Sequence, residues 1–231
     1  MARGEEIDIP HPENEQVLLL MKGRCSIQAD DRQFSGLRRT GIFEERATAV
    51  YAPPGMRCHI AAEDDTEVAV VSAKAGTRYD PCLVRPDDVK VRRIGKSNWY
   101  REVHDVIDTR VEAERLLVGE TFNPPGNWSS YPPHRHERSD FPAESRHEEF
   151  YHFRLNPPTG FGIQRVYTDD GQIDETIVLR DRDTVAIPRG YHPVVSAPGY
   201  HLYYLWALAG EGRQLIARED PLHSWTAEPR T

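Results

Sequence analysis

The sequence predicts an all-β protein. Its apolar residues fall in short runs rich in β-branched and aromatic side chains, and few windows keep the 3.6-residue rhythm of a helix. The chain also carries 18 prolines and 16 glycines, spread along its 231 residues. Frequent turns between short apolar runs are typical of β-sandwiches and β-barrels.

Nine apolar runs have compositions that are typical of β-strands. Three in the first half are Val-, Leu- or Ala-rich, and those of the second half add Phe, Tyr and Trp at alternating positions. Asp169-Asp170-Gly171 is a turn signal between two of them. Only 112–117 is ambiguous between helix and strand. In chain order the predicted strands cover 17–21, 47–52, 67–72, 116–121, 150–155, 162–167, 175–179, 184–187 and 202–208.

A weak internal sequence repeat predicts two related β-barrels. Residues 49–59 resemble 184–193, because in both an apolar strand ends in Pro-x-Gly. We expect one barrel over 1–85, a linker over 86–99 and a second barrel over 100–231. Aligning the two Pro-x-Gly turns puts Arg57 opposite His192, and the first half has no His-x-His pair. We therefore expect the first barrel to be metal-free.

Charge and composition exclude several function classes. A net charge of −8 argues against a nucleic-acid partner, since phosphates require a basic face. No apolar stretch approaches the length of a membrane span, and the polar N-terminus does not resemble a signal peptide. Three widely spaced cysteines fit free thiols in a reducing compartment. The sequence therefore predicts a soluble cytoplasmic protein.

The second half carries a split set of metal-ligand residues. His134 and His136 are two positions apart, so on an extended strand both side chains point the same way. The carboxylates of Glu148 and Glu149 open the next apolar strand, and His192 follows about 40 residues later. Three imidazoles and one carboxylate suit Zn, Mn, Fe or Ni and leave coordination positions open for substrate. This pattern predicts a catalytic metal site.

These residues bring out a family resemblance. The second half resembles the bicupin sugar isomerases, most closely those acting on 5-deoxy-glucuronate in inositol catabolism. The signal is specific, because a generic cupin shares His-x-His and Pro-x-Gly but not the longer motifs. The matching segments are FNPPGNWSSYPPHRH (122–136), YHFRLNPPTGFGIQRVYTDD (151–170), IPRGYHPV (187–194), LYYL (202–205) and DPLHSW (220–225).

The resemblance implies two tandem cupin barrels, with the N-terminal one shortened. It implies an aldose–ketose isomerase that converts 5-deoxy-glucuronate to 5-dehydro-2-deoxy-gluconate with a divalent metal ion, Zn or Mn. It also implies metal ligands at His134, His136, a glutamate and His192. Glu149 is favoured over Glu148, because cupin ligands directly precede the apolar strand and Glu149 shares one strand face with Tyr151 and Phe153.

The sequence also suggests candidates for the remaining catalytic groups. Gln164 and Arg165 lie on one strand, and alternation sends only one of them inward; Arg165 would pair the substrate carboxylate, and Gln164 would bind a hydroxyl. Tyr203 and Tyr204 pose the same problem, with Tyr204 as the candidate proton donor. The expected partner is a small-molecule uronate, with neither nucleic acid nor membrane, and the family pattern is compatible with a homodimer.

Two other functions use the same ligands. A different metallocupin enzyme, such as an iron dioxygenase, would consume oxygen. A non-catalytic cupin would bind a sugar acid without turnover. The intact ligand set favours the isomerase.

Overall fold

A computed structural model of the protein describes residues 1–210 and 212–227. Apart from short 3₁₀ turns at Pro86–Asp88, Ser97–Trp99 and Ser224–Ala227, the regular structure of these residues is β. In chain order the strands are Glu6–Ile9 (β1), Asn14–Ala29 (β2), Arg32–Arg39 (β3), Thr48–Ala52 (β4), Cys58–Ala62 (β5), Glu67–Lys74 (β6), Cys82–Val84 (β7), Lys90–Ile94 (β8), Arg101–Ile107 (β9), Leu116–Asn123 (β10), Trp128–Ser129 (β11), His134–Arg135 (β12), His147–Asn156 (β13), Gly162–Tyr167 (β14), Asp174–Leu179 (β15), Thr184–Ile187 (β16), Val194–Ser196 (β17), His201–Gly210 (β18) and Arg218–Glu219 (β19).

The all-β prediction is confirmed. All nine predicted runs lie within strands, apart from single residues at their edges, and β14 and β16 have the predicted bounds. The ambiguous stretch 112–117 is a bend that leads into β10. The unpredicted strands are mostly short or polar, such as β11, β12 and β17, and two or three residues carry too little alternation to be recognised. Among the described residues, no helix has the length and apolar character needed to cross a bilayer.

The first compact unit consists of Met1–Lys90 with Asp105–Val118. Its sheet follows the order β1-β5-β2-β4-β7, with β3 and β6 also paired to β2. The 16-residue β2 is the centre of this sheet, because it pairs with four other strands along its length. Buried Leu18, Leu20, Ile27, Val50 and Ile60 form its core.

The second unit consists of Val91–His104 with Gly119–Thr231, of which 211 and 228–231 lie outside the described residues. One sheet has the order β16-β13-β18-β10-β9-β8, and another has the order β11-β17-β14-β15. Phe153, Leu179, Val194 and Leu202 belong to the apolar core of this unit. The predicted domains 1–85 and 100–231 with a linker at 86–99 stay a prediction. In the two compact units, residues 91–104 belong with the later strands and residues 105–118 with the earlier ones.

Candidate metal centre

Strand β13 supplies the carboxylate of the centre. Its residues alternate between buried and exposed, so that Glu149, Tyr151 and Phe153 share the buried face while Glu148 faces solvent. Glu149 is fixed between two neighbouring strands, opposite Leu208 of β18 and Ile187 of β16. The structure therefore brings Glu149, and not Glu148, to the interior.

The short strand β12 presents the two spaced histidines. Arg135 lies between them and points the other way, where its guanidinium contacts Glu144 at 3.3 Å and Glu137 at 3.6 Å. After β12, the amide of His147 donates to the carbonyl of His136 over 2.8 Å, which ties this segment to β13. His134 and His136 thereby face the carboxylate of Glu149.

The Pro-Arg-Gly turn places the third histidine. Gly190 has a φ of +96°, and a Cβ there would lie 2.5 Å from the carbonyl oxygen of Tyr167. Tyr167 and Tyr191 exchange two backbone hydrogen bonds of 2.9 and 2.8 Å, which hold the chain directly before His192. Only glycine combines this close approach with that backbone conformation. His192 is consequently fully buried, next to the other ligand candidates.

The side chains predicted as ligands converge. Nε2 of His136 lies 3.1 Å from Oε2 of Glu149, and Nε2 of His192 lies 3.2 Å from the same oxygen. Ligand atoms of these three residues all fall within 4.8 Å of one another. His134 is not one of these three, although its ring centroid lies 5.0 Å from that of His192 and 6.4 Å from that of His136.

Each imidazole is oriented by a backbone carbonyl. Nδ1 of His134 bonds to Pro132 O (3.3 Å), that of His136 to His147 O (3.0 Å) and that of His192 to Gly190 O (2.9 Å). A carbonyl only accepts, so Nδ1 carries the proton and Nε2 is the nitrogen turned towards the cluster. Carbonyls in this position are the usual outer partners of metal-binding histidines.

The cluster fits a metal ion. Nε2 of His192 is buried, and although it lies near Glu149 it makes no hydrogen bond of acceptable geometry. An unsatisfied buried nitrogen aimed at a carboxylate is the arrangement that a shared cation would complete. The group of His136, Glu149 and His192 could therefore hold a metal ion.

The electrostatics favour deprotonated ligands at two of these positions. Burial and the neighbouring imidazoles lower the pKa of His134 to about 3. Burial acts to raise the pKa of Glu149, but its hydrogen bond to His136 and its close approach to His192 prevail and lower it to about 2. Burial opposes the charged form of His136, yet Glu149 raises its pKa above 6.5. Without metal, Glu149 thus favours the charged form of the His136 imidazole.

Alternation on β14 separates the two residues predicted together. Gln164 is fully buried, with Nε2 3.5 Å from the carbonyl of His192 and with Oε1 lacking a hydrogen bond. Arg165 points to the opposite face, where it forms an ion pair with Asp174 at 2.7 Å and stacks on Tyr167. It lines a cavity of about 880 Å³ that none of the four predicted ligands lines. The predicted role of Arg165 on the substrate carboxylate stays a prediction; its side chain lies on the face of β14 opposite Gln164.

Tyr204 and Tyr203 separate in the same way. The ring of Tyr204 lies 4.4 Å from that of Tyr151, whose centroid is 5.8 Å from that of His192. The Tyr204 hydroxyl is 2.5 Å from Ser129 Oγ, and the Tyr151 hydroxyl is 2.8 Å from Ser130 Oγ. Tyr203 instead donates to Glu120, on the other face. Of the two, Tyr204 is the residue that shares an interior with the cluster.

One interior residue was missed by sequence reasoning. Arg101, the first residue of β9, is only 8% exposed. It lies at the edge of the predicted linker among polar residues, and no local pattern distinguishes it from the exposed arginines nearby.

Comparison with known proteins shows the family. The KduI/IolB family model matches residues 1–226. The 5-deoxy-glucuronate isomerase of Geobacillus kaustophilus is 40% identical over 232 residues, covering 100% of this chain and 84% of the relative. That of Lacticaseibacillus casei is 38% identical over 211 residues, covering 90% and 78%. These relatives confirm the family resemblance and the predicted enzyme class, an isomerase.

Solved structures agree with the sequence relatives. An IolB-like protein of Salmonella typhimurium has a TM-score of 0.95 and 37% identity, with 99% of this chain and 88% of that one covered. The oxalate decarboxylase of Lactobacillus farciminis has a TM-score of 0.67 at 12% identity, covering 95% and 77%, and that likeness concerns the fold alone. The all-β, cupin-like architecture is thereby confirmed, and the chain belongs to the KduI/IolB family.

Proposed function

We propose that the protein is a metal-dependent isomerase that converts 5-deoxy-glucuronate to 5-dehydro-2-deoxy-gluconate in inositol catabolism. The observation that carries the proposal is the convergence of His136, Glu149 and His192, with His134 beside them, in a chain whose relatives bear that isomerase name. The proposed ligands are these four residues. Three imidazoles and one carboxylate suit Zn or Mn, with positions left open for substrate.

Aldose–ketose isomerisation moves a proton between adjacent carbons through an enediol. A divalent ion bound here would supply Lewis acidity for the carbonyl and hydroxyl oxygens and for the charge that develops on them. The protein's own contribution begins with orientation, because the three Nδ1 hydrogen bonds fix the imidazole planes before substrate arrives. Glu149 remains ionised in the interior, since its pKa is lowered to about 2.

Gln164 and Tyr204 are the proposed substrate-contacting groups. The unsatisfied Oε1 of Gln164 can accept a hydrogen bond from a sugar hydroxyl. Burial raises the pKa of Tyr204, so its hydroxyl stays protonated at neutral pH and serves as a hydrogen-bond and proton donor. The neighbouring Tyr151 is held protonated in the same way, by burial and by the charge of Glu149.

The decisive experiment is metal analysis of the purified protein, coupled to an anaerobic assay with 5-deoxy-glucuronate. We expect turnover without oxygen, loss of turnover on chelation, and recovery with Zn or Mn. Oxygen consumption with a ferrous requirement would instead identify an oxygenase. Binding without turnover under all of these conditions would identify a non-catalytic sugar-acid-binding protein.

A further inference from the structure

Arg101 is a buried cation that no carboxylate neutralises. Its side chain is 8% exposed, at the start of β9. Its guanidinium makes two hydrogen bonds, both from Nη1, to the carbonyls of Trp99 (3.2 Å) and Tyr131 (3.0 Å). Among the described residues, no aspartate or glutamate forms a salt bridge with it. Buried arginines are almost always paired, because the guanidinium cannot release its proton.

A second buried arginine of the same unit shows the usual arrangement. Arg135 is 2% exposed and contacts three carboxylates, those of Glu137, Glu144 and Asp169. Leaving a buried charge unpaired is costly. Arg101 therefore presents Nε and Nη2, two donors of a planar fork that matches a carboxylate, without a protein acceptor.

Arg101 lies beside interior residues that adjoin the cluster. Its Nη1 bond to Tyr131 O fixes it beside the segment that carries Ser129 and Ser130, which bond the hydroxyls of Tyr204 and Tyr151. Burial raises the pKa of Tyr204, and the positive charge of Arg101 opposes that rise, as expected for neighbours in one interior. The ring of Tyr151 in turn lies 5.8 Å from that of His192.

We propose that Arg101 binds the carboxylate of the sugar-acid substrate while the reacting carbons lie at the His/Glu cluster. This inference rests on the proposed function and adds the residue that selects an acid over a neutral sugar. The two carbonyls on Nη1 hold the guanidinium plane, so that Nε and Nη2 remain for the two carboxylate oxygens. Arg101 thus takes the role that the sequence suggested for Arg165, whose guanidinium is paired with Asp174.

The test compares two ligands that differ only in the carboxylate group. The metal-loaded protein, Arg101→Met and Arg101→Lys are each assayed with the uronate as substrate, which yields KM. Each is also assayed for competitive inhibition by 5-deoxy-glucose, which carries a hydroxymethyl group instead of the carboxylate. In Arg101→Met we expect a roughly 100-fold rise in KM, typical of truncating one partner of a buried hydrogen-bonded charge pair, and an inhibition constant unchanged within about threefold. Arg101→Lys keeps the charge without the fork and should fall between.

Several outcomes would overturn the inference. An unchanged KM would show that the carboxylate binds elsewhere, and equal weakening of both ligands would show a purely structural role through Trp99 and Tyr131. Metal content and circular dichroism check that the variants fold. Arg180→Met is the matched control, because that arginine is exposed directly after β15, and it should leave both constants unchanged.

Failure of the proposed isomerase function can be distinguished from failure of the proposed role of Arg101. If the parent protein does not turn over 5-deoxy-glucuronate, isomerisation of that compound is excluded. Calorimetric dissociation constants of the same two ligands then replace KM and the inhibition constant. Selective loss of acid binding in Arg101→Met would support the carboxylate site, and its absence would overturn it.

Discussion

Substitution of His192 is the most direct test of the proposed metal site. Replacing it by alanine removes one proposed ligand and the buried nitrogen that lacks a hydrogen bond. A Lewis acid contributes several kcal/mol and each 1.4 kcal/mol is tenfold, so we expect kcat/KM to fall roughly a thousand-fold. Steady-state kinetics with metal analysis measure this.

The matched control is His152→Ala. His152 lies on β13 beside Tyr151, and its ring contacts Thr184 and not the cluster. It should keep the parent's activity and metal content. Undiminished turnover in His192→Ala would remove His192 from the proposed site.

The buried pair of His136 and Glu149 predicts a pH dependence in the metal-free protein. The pKa of His136 is raised above 6.5, so its contribution to stability is complete below that value and is lost as pH rises through the raised pKa. The pKa of Glu149 is lowered from 4.5 to about 2, so its contribution is present above 4.5 and is lost as pH falls towards 2. The pair should stabilise the fold most between these limits.

Glu149→Gln tests the pair directly. Without the carboxylate, burial acts unopposed and the pKa of His136 should fall, as measured by proton NMR titration. Urea unfolding across the same pH range should lose the stabilisation at pH 5–6. Glu148→Gln, on the exposed neighbour, should change neither; an unaltered His136 titration in Glu149→Gln would contradict the pairing.

At the scale of elements, the turn before His192 controls the position of a ligand. Gly190→Ala combines positive φ with a Cβ 2.5 Å from Tyr167 O, whereas Gly126→Ala has a φ of +74° and no heavy atom within 4 Å. Both variants carry the strain of positive φ, roughly 1–3 kcal/mol. Only Gly190→Ala must also displace the chain that holds His192.

We therefore expect Gly190→Ala to lower the free energy of unfolding more than Gly126→Ala and to weaken metal binding, which Gly126→Ala should leave intact. Urea titration and metal competition assays measure the two effects. Equal losses of stability with equal metal affinity would show that the turn does not position the ligand.

Strand alternation alone does not show which face of a strand is buried. Period 2 established that Gln164 and Arg165 face opposite ways, and likewise Tyr203 and Tyr204, but gave no sign of which face was inward. The structure decides this through sheet order, because β14 and β18 are each fixed by two neighbours. The choice of Glu149 over Glu148 rested on the family resemblance and on the strand face that Glu149 shares with Tyr151 and Phe153.

At the scale of the whole molecule, the described residues contain one cluster suited to a metal ion, that of the second unit. We expect purified protein to bind one equivalent of Zn or Mn per chain by elemental analysis. Arg57→His should leave this value unchanged, because a single added imidazole does not make a site. Two equivalents in the parent would contradict the assignment.

The sequence by itself determined the all-β class, the family and the residues of the candidate cluster, because period-2 alternation, turn residues and long motifs are local properties of the chain. Tertiary structure alone decided which face of β14 is buried, that Arg165 is paired with Asp174, and that Arg101 enters the interior without a carboxylate. Burial and pairing depend on residues distant along the chain, since they arise only when separate strands form one sheet.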